Sequence, residues 1–250
     1  MTHLKKILNR AASVLTLLCG AFAILPASAQ VNANFCGSLK NSFGPFEYRP
    51  DRDPPTQGTG DHTVKLGLVE GAHFTPEVEQ LIRGHRSGND PGGDLDYTLR
   101  AFPNHHRALL AVMRYGEKKM SQQPPGLPRV VECYFERAIR FSPDDAIAKI
   151  LYATYLTTKA RLPEAVAQLE HATIIAGDNA FTHYNIGLTY HDMKMYDQAL
   201  TQAHKALSLG FERTELRDLL EKAGKWKERT TAPTGTLSAP PAVAPASEPQ

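Results

Sequence analysis

Apolar and polar positions alternate with one rhythm through two consecutive stretches of the chain. In DDAIAKILYATYLTTKARLPEAVAQLEHATIIAG and DNAFTHYNIGLTYHDMKMYDQALTQAHKALSLGF, apolar residues recur every three or four positions, stop at a short polar turn and resume. That period predicts amphipathic helices, and the interruption predicts helix–turn–helix units. The two stretches superpose at an offset of 34 residues: Ala146 on Ala180, Ala153 on Gly187, Leu156 on Tyr190, Leu162 on Tyr196, Ala165 on Ala199 and Ala172 on Ala206. Small residues stand where two helices must approach closely, and large apolar ones fill the space between.

The rhythm extends backwards. Phe135, Ala138 and Pro143 repeat the second half of a unit, and FPN-HH at residues 102–106 has the layout of PDD-AI and GDN-AF. Asn104, Asp145 and Asn179 are the expected N-caps. The first unit is longer, and the proline-rich MSQQPPGLP (Met120–Pro128) is the expected insertion between its helices. After Phe211, ERTELRDLLEKAGKW reads as a terminal helix with Leu216, Leu219 and Leu220 on one side, a polar outer face, and Trp226 as its last anchor.

These residues resemble the tetratricopeptide repeat (TPR) family. Ile186, Gly187 and Tyr190 match its first-helix signature, Ala199 and Ala206 its second-helix alanines, and Pro143 its closing proline. Gly177 and Phe211 replace that proline later, and Lys149 and His183 stand where a large aromatic residue is usual. Residues 36–226 are also similar to a group of exported proteobacterial TPR proteins, a likeness that implies no defined activity. The resemblance implies an all-α, short TPR-like solenoid: about three repeats and a cap helix over residues 104–226. It further implies a groove lined by the first helix of each repeat. By register its residues are His106, Leu109 and Met113, then Ile147, Ile150, Thr154 and Thr157, then Phe181, Tyr184, Leu188, His191 and Asp192. Such an apolar and aromatic groove suits an extended peptide or a partner helix.

Residues 30–103 do not follow the repeat. FTPEVEQLIRG reads as a helix capped by Thr75 and ended by Gly84, and DLDYTLRAF as a second short helix. HTVKLGLV carries a weak hairpin signal, and DRD at Asp51–Asp53 reads as a charged turn.

The chain ends change the picture. Lys5, Lys6 and Arg10 precede an apolar run from Ala11 to Leu25, then Pro26 and Ala27-Ser28-Ala29. This is the layout of an export signal over residues 1–29, cleaved before Gln30, which places the protein in the periplasm or outside the cell with no membrane span after cleavage. The full chain has 28 basic and 26 acidic side chains, but residues 1–29 hold three basic and no acidic ones, so the remainder is 25 against 26 and carries −1 rather than +2. No basic cluster suited to phosphates remains, which argues against nucleic acid. Cys36 and Cys133 remain as one pair, expected as a disulfide in an oxidising compartment rather than as two buried thiols. Cys133 is expected on an exposed edge. Residues 227–250 are rich in Pro, Ala, Thr and Ser and read as a disordered tail.

Candidate chemistry is sparse. No GxSxG elbow, phosphate loop or calcium loop is present. His105 and His106 are adjacent, so on a helix they point about 100° apart and do not share a metal easily. No two histidines are spaced three or four apart. Both are expected to be structural, with Asn104 capping the helix they begin. The expectation is therefore a non-enzymatic periplasmic scaffold or adaptor, without cofactor, that binds an envelope protein or peptide. The alternative is a small exported metal-binding protein or hydrolase that uses His105 and His106 with the Asp94/Asp96 loop.

Overall fold

The computed structural model describes residues 35–50 and 61–228. The expected export signal, the charged turn at 51–53 and the tail beyond 228 lie outside the described residues. Among the described residues there are ten α-helices and no strand. They are α1 (His62–His73), α2 (Pro76–Glu79), α3 (Gly92–Ala101), α4 (His106–Lys118), α5 (Val131–Phe141), α6 (Ala146–Thr158), α7 (Leu162–Ala176), α8 (Ala180–Asp192), α9 (Tyr196–Ser208) and α10 (Glu215–Lys222).

From α4 onward the helices come in pairs: α4 with α5, α6 with α7, α8 with α9. The first helices α4, α6 and α8 each have 13 residues. Each packs on the next first helix, α4 on α6 and α6 on α8, and α8 closes on α10. The second helices α5, α7 and α9 pack on the first helix that follows. A continuous apolar core runs through the pairs from Phe74 and Val78 to Leu216 and Leu220. The small positions of the repeat, Ala153, Ala165, Ala172, Ala199 and Ala206, are all buried within it. Gly187 shows why they are small: a Cβ built there would come within 2.5 Å of Leu216 Cδ2 and 3.3 Å of Gln202 Cβ.

Side chains cap all three first helices. Asp145 accepts from the Ala148 N–H and Asn179 from the Thr182 N–H, each at 3.0 Å. At α4 the cap is His105, not Asn104: His105 Nδ1 accepts from the Ala108 N–H at 3.2 Å. Asn104 is fully buried and spends its amide on other elements. The caps are therefore 40 and then 34 residues apart. The extra length lies in residues 119–130, between α4 and α5, as the insertion of prolines implies. That loop folds back onto the start of α3, where Pro125 and Gly126 lie against Gly92, and Tyr115 Oη of α4 donates to Pro125 O at 3.0 Å.

Upstream, two expectations change. HTVKLGLV is helical in α1, with no hairpin; Asp61 accepts from the Val64 N–H at 2.8 Å, and Lys65 and Val69, four apart, both face inward. FTPEVEQLIRG forms only the one-turn α2, in which Thr75 makes no side-chain cap bond. Leu81 takes φ 59°, a left-handed turn that ends the helix and brings the buried Leu81 side chain into the core. DLDYTLRAF is helical as expected, within α3.

Cys36 and Cys133 are joined by a disulfide with Cα atoms 5.0 Å apart. Both are buried, so Cys133 is not on an exposed edge. Arg137, also buried, donates to the carbonyls of Cys36 and Ser38, and Arg140 to that of Gly37. The chain from Phe35 to Pro50 is thus an arm clamped to α5.

Candidate functional site

The arm reaches the place where α4 and α6 begin. Phe46 leaves the solvent between Phe43 and Phe102, and its N–H donates to Ala101 O at 2.8 Å. One residue later the backbone turns polar. Glu47 accepts from Arg49 Nε at 3.0 Å, from Ser142 Oγ at 2.8 Å, and from the Asn104 amide. The Tyr48 N–H donates to Asn104 Oδ1 at 3.0 Å, while Asn104 Nδ2 also donates to Asp145 at 2.8 Å. One buried amide therefore ties the arm, the α3–α4 turn and the α6 cap together. Arg49 spreads its guanidinium over Ser142 Oγ at 2.7 Å and Asp144 at 2.9 Å.

The two histidines flank this junction. His106 Nε2 lies 2.8 Å from the Asp145 carboxylate, and His105 Nε2 lies 3.0 Å from Glu70 of α1. The Tyr48 ring stacks on His105 at 4.2 Å and meets His106 edge-on at 5.0 Å. Burial pushes the Asp145 and Glu47 carboxyls up. The donors around them outweigh it and hold both below the usual carboxylate range: His106, the Ala148 N–H and Asn104 for Asp145, and Arg49, Asn104 and Ser142 for Glu47. Burial holds the His105 ring below the ordinary histidine value against the pull of Glu70.

His105, His106, Asp94 and Asp96 do not converge on one place. Asp94 organises its own loop, accepting from the backbone of His85 at 2.7 Å, from Ser87 Oγ at 2.7 Å, and pairing with His73 Nδ1 at 2.8 Å. Asp96 pairs with Arg100 and Arg129 and accepts from Tyr134 Oη. His105 and His106 have Glu70 and Asp145 as partners instead. The carboxylates saturate locally, so the four residues divide among separate networks. Among the described residues no group of three or more His, Cys, Asp or Glu side chains is placed to hold a metal ion. Ser142 faces Glu47 rather than a histidine.

The stripe expected to line a groove divides into core and surface. Leu109, Met113, Ile150 and Tyr184 are buried in the core, because the contacts between successive first helices close over them. Ile147 and Leu188 are half-buried against that core. Thr154 and Thr157 donate their hydroxyls to carbonyls of their own helix, Ile150 O at 3.0 Å and Ala153 O at 2.8 Å. Phe181 is 53% exposed and lies edge-on to Phe211. His191 lies beside Tyr196, and Asp192 is exposed. A cleft of about 290 Å³ opens where α6 and α8 begin, lined by Arg49, Asp144, Ile147, Ile175, Asn179 and Thr182.

Tyr48, Arg49 and Ser142 lie outside the residues expected to form a site. The one local signal for Tyr48 and Arg49 is the alternation of aromatic and charged residues in Phe46-Glu47-Tyr48-Arg49, inside a segment with no helical period; Ser142 carries none. No protein-family model matches the chain, and no curated protein matches it significantly.

Proposed function

We propose that this is a non-enzymatic adaptor of TPR type, exported to the periplasm or beyond the cell, that holds an envelope protein or peptide on the face made by α6 and α8. The observation that carries the reading is the repeated stacking of first helices, with equal lengths and matching caps. It leaves Ile147, Phe181 and Leu188 partly exposed on neighbouring helices while the side chains between them are core. Half-buried apolar side chains in register across adjacent helices suit an extended segment or a helix that offers apolar anchors at matching intervals. Thr154 and Thr157 keep their hydroxyls on their own helix and so present methyl groups and little charge.

One feature favours an exported address. A buried disulfide survives in an oxidising compartment. Among the described residues no helix is long and apolar enough to cross a membrane.

The test is site-specific photocrosslinking in cells from positions 147, 181 and 188, with Glu221 on α10 as an outward control. A discrete crosslinked product from the three positions, absent at the control and lost in Leu188→Asp with unchanged circular dichroism, is the expected result. Equal labelling at all four positions removes the groove from the proposal. Elemental analysis bears on the rival reading: a stoichiometric transition metal that disappears in the His105→Gln/His106→Gln double variant overturns the adaptor.

A further inference from the structure

His105 caps α4 and is also the surface on which the arm rests. Its ring is completely buried: Tyr48 stacks on it at 4.2 Å, Phe74 meets it edge-on at 4.8 Å, and Phe102 lies at 6.5 Å. Its two nitrogens have opposite roles. Nδ1 accepts the Ala108 N–H at 3.2 Å and must carry a lone pair. Nε2, 3.0 Å from a Glu70 oxygen, therefore carries the hydrogen. A neutral ring with its proton on Nε2 satisfies both bonds. A second proton has one place to go, Nδ1, and there it meets another donor. The other side-chain caps, Asp61, Asp145 and Asn179, accept through an oxygen lone pair. His62, His73 and His106 each point a nitrogen at an oxygen, of Tyr48, Asp94 and Asp145, so a second proton does not remove those bonds.

We infer that His105 is an acid-released latch: protonation of Nδ1 uncaps α4, turns the ring out of its pocket, and lifts Tyr48 and the arm from Phe43 to Arg49 off the start of α4. Every element packed on the ring contributes charge. Glu70 on α1 favours the imidazolium, with Glu79 on α2 acting in the same sense from farther away. Arg107 and His106 on α4 oppose it. Tyr48 on the arm is uncharged in this range, its phenol pushed further up by burial, and Asp145 on α6 is paired with His106. Glu70 does not relieve the conflict, because it faces Nε2, the other nitrogen. Burial of the ring outweighs the carboxylates, so the docked ring binds its second proton more weakly than a free one. Docking is at full strength above the ordinary histidine value of about 6.5 and weakens as pH falls below it. Released residues stay attached, because the Cys36–Cys133 bond does not titrate. The device holds whatever the adaptor face binds.

The experiment is amide hydrogen exchange on the disulfide-intact chain at pH 7.5 and 5.5, corrected for intrinsic exchange. Three amides report: Phe46, bonded to Ala101 O, Tyr48, bonded to Asn104, and Ala108, bonded to the ring. Protection at all three is expected to fall several-fold at pH 5.5, up to the tenfold that one pH unit below the free value of about 6.5 allows, while amides in α8 hold. His105→Asn keeps a capping oxygen that does not titrate, so its protection is expected to be the same at both pH values, even if lower overall. Ring nitrogen shifts of the unmodified protein give a second readout: the Nε2–H tautomer at pH 7.5, titrating together with loss of the arm amides. Unchanged protection of the arm at pH 5.5 overturns the latch. So does a loss that persists equally in His105→Asn, or a ring that titrates above 6.5 with the arm still protected.

Discussion

Asn104 and His105 are neighbours with exchanged duties. An asparagine before a helix is a common cap, but here the histidine caps and the asparagine bridges. Asn104→Ala leaves the Tyr48 N–H, Glu47 and Asp145 short of a partner in a buried place, and each such group costs about 1–3 kcal/mol. The variant is therefore expected to lose more stability in urea titration than the roughly 0.5–2 kcal/mol that losing a cap alone takes. A loss below about 0.5 kcal/mol contradicts the bridge. The same residues predict acid behaviour. Glu47 and Asp145 have folded-state pKa values below their free ones, so their contribution is present above about pH 4 and is lost as pH falls through the folded values. In Arg49→Met the Glu47 carboxylate loses its nearest cation. Its acid unfolding midpoint should move to higher pH, read by circular dichroism from pH 5 to 2, on top of the His105 effect that begins at higher pH.

Single helices show how one residue type carries opposite effects. Gly187 lies where α8 crosses α9 and α10, with Leu216 Cδ2 2.5 Å from the place of a Cβ. Gly187→Leu is expected to destabilise by roughly 1–3 kcal/mol through overpacking. Gly67 lies on the outer side of α1, where a Cβ meets nothing within 4 Å. Gly67→Ala is expected to raise stability by about 0.5–1 kcal/mol, because alanine loses less backbone freedom on becoming helical. Thermal melts of the two variants should move in opposite directions. An unchanged or raised midpoint for Gly187→Leu means the crossing at Gly187 is misplaced, and a lowered one for Gly67→Ala that Gly67 is not on the open side of α1. The repeat register, read from small residues 34 apart, locates Gly187 without a structure; nothing local marks Gly67 as outward, because α1 buries a lysine, Lys65, and exposes Val64 and Leu68.

Across the molecule the arm closes a long covalent loop, with the two cysteines 97 positions apart in the sequence. Replacing both cysteines with alanine is expected to cost about 2–5 kcal/mol. It should loosen Phe35–Ser38 first, where Arg137 and Arg140 hold the arm's carbonyls. Intact mass under non-reducing conditions, two hydrogens lighter than the reduced chain, checks the bond. Two free thiols in freshly purified protein contradict it.

Helices α3 to α10, their pairing, the caps Asp145 and Asn179, the insertion after α4 and the cysteine pair were legible in the linear chain; α1 and the short extent of α2 were not. Each legible feature is a periodic or nearest-neighbour signal: apolar residues every three or four, small residues every 34, a capping side chain next to the helix it caps. The junction was not legible, because its bonds join residues far apart and follow no period. Tyr48 meets Asn104 across 56 positions and Arg49 meets Asp144 across 95. Packing also decided which part of the predicted stripe is surface. Register alone puts Ile147 and Ile150, or Phe181 and Tyr184, on one side of a helix. Only the approach of the neighbouring first helix and of α10 buries Ile150 and Tyr184 and leaves Ile147 and Phe181 accessible, since burial is set by what lies opposite a side chain and not by its place in the repeat.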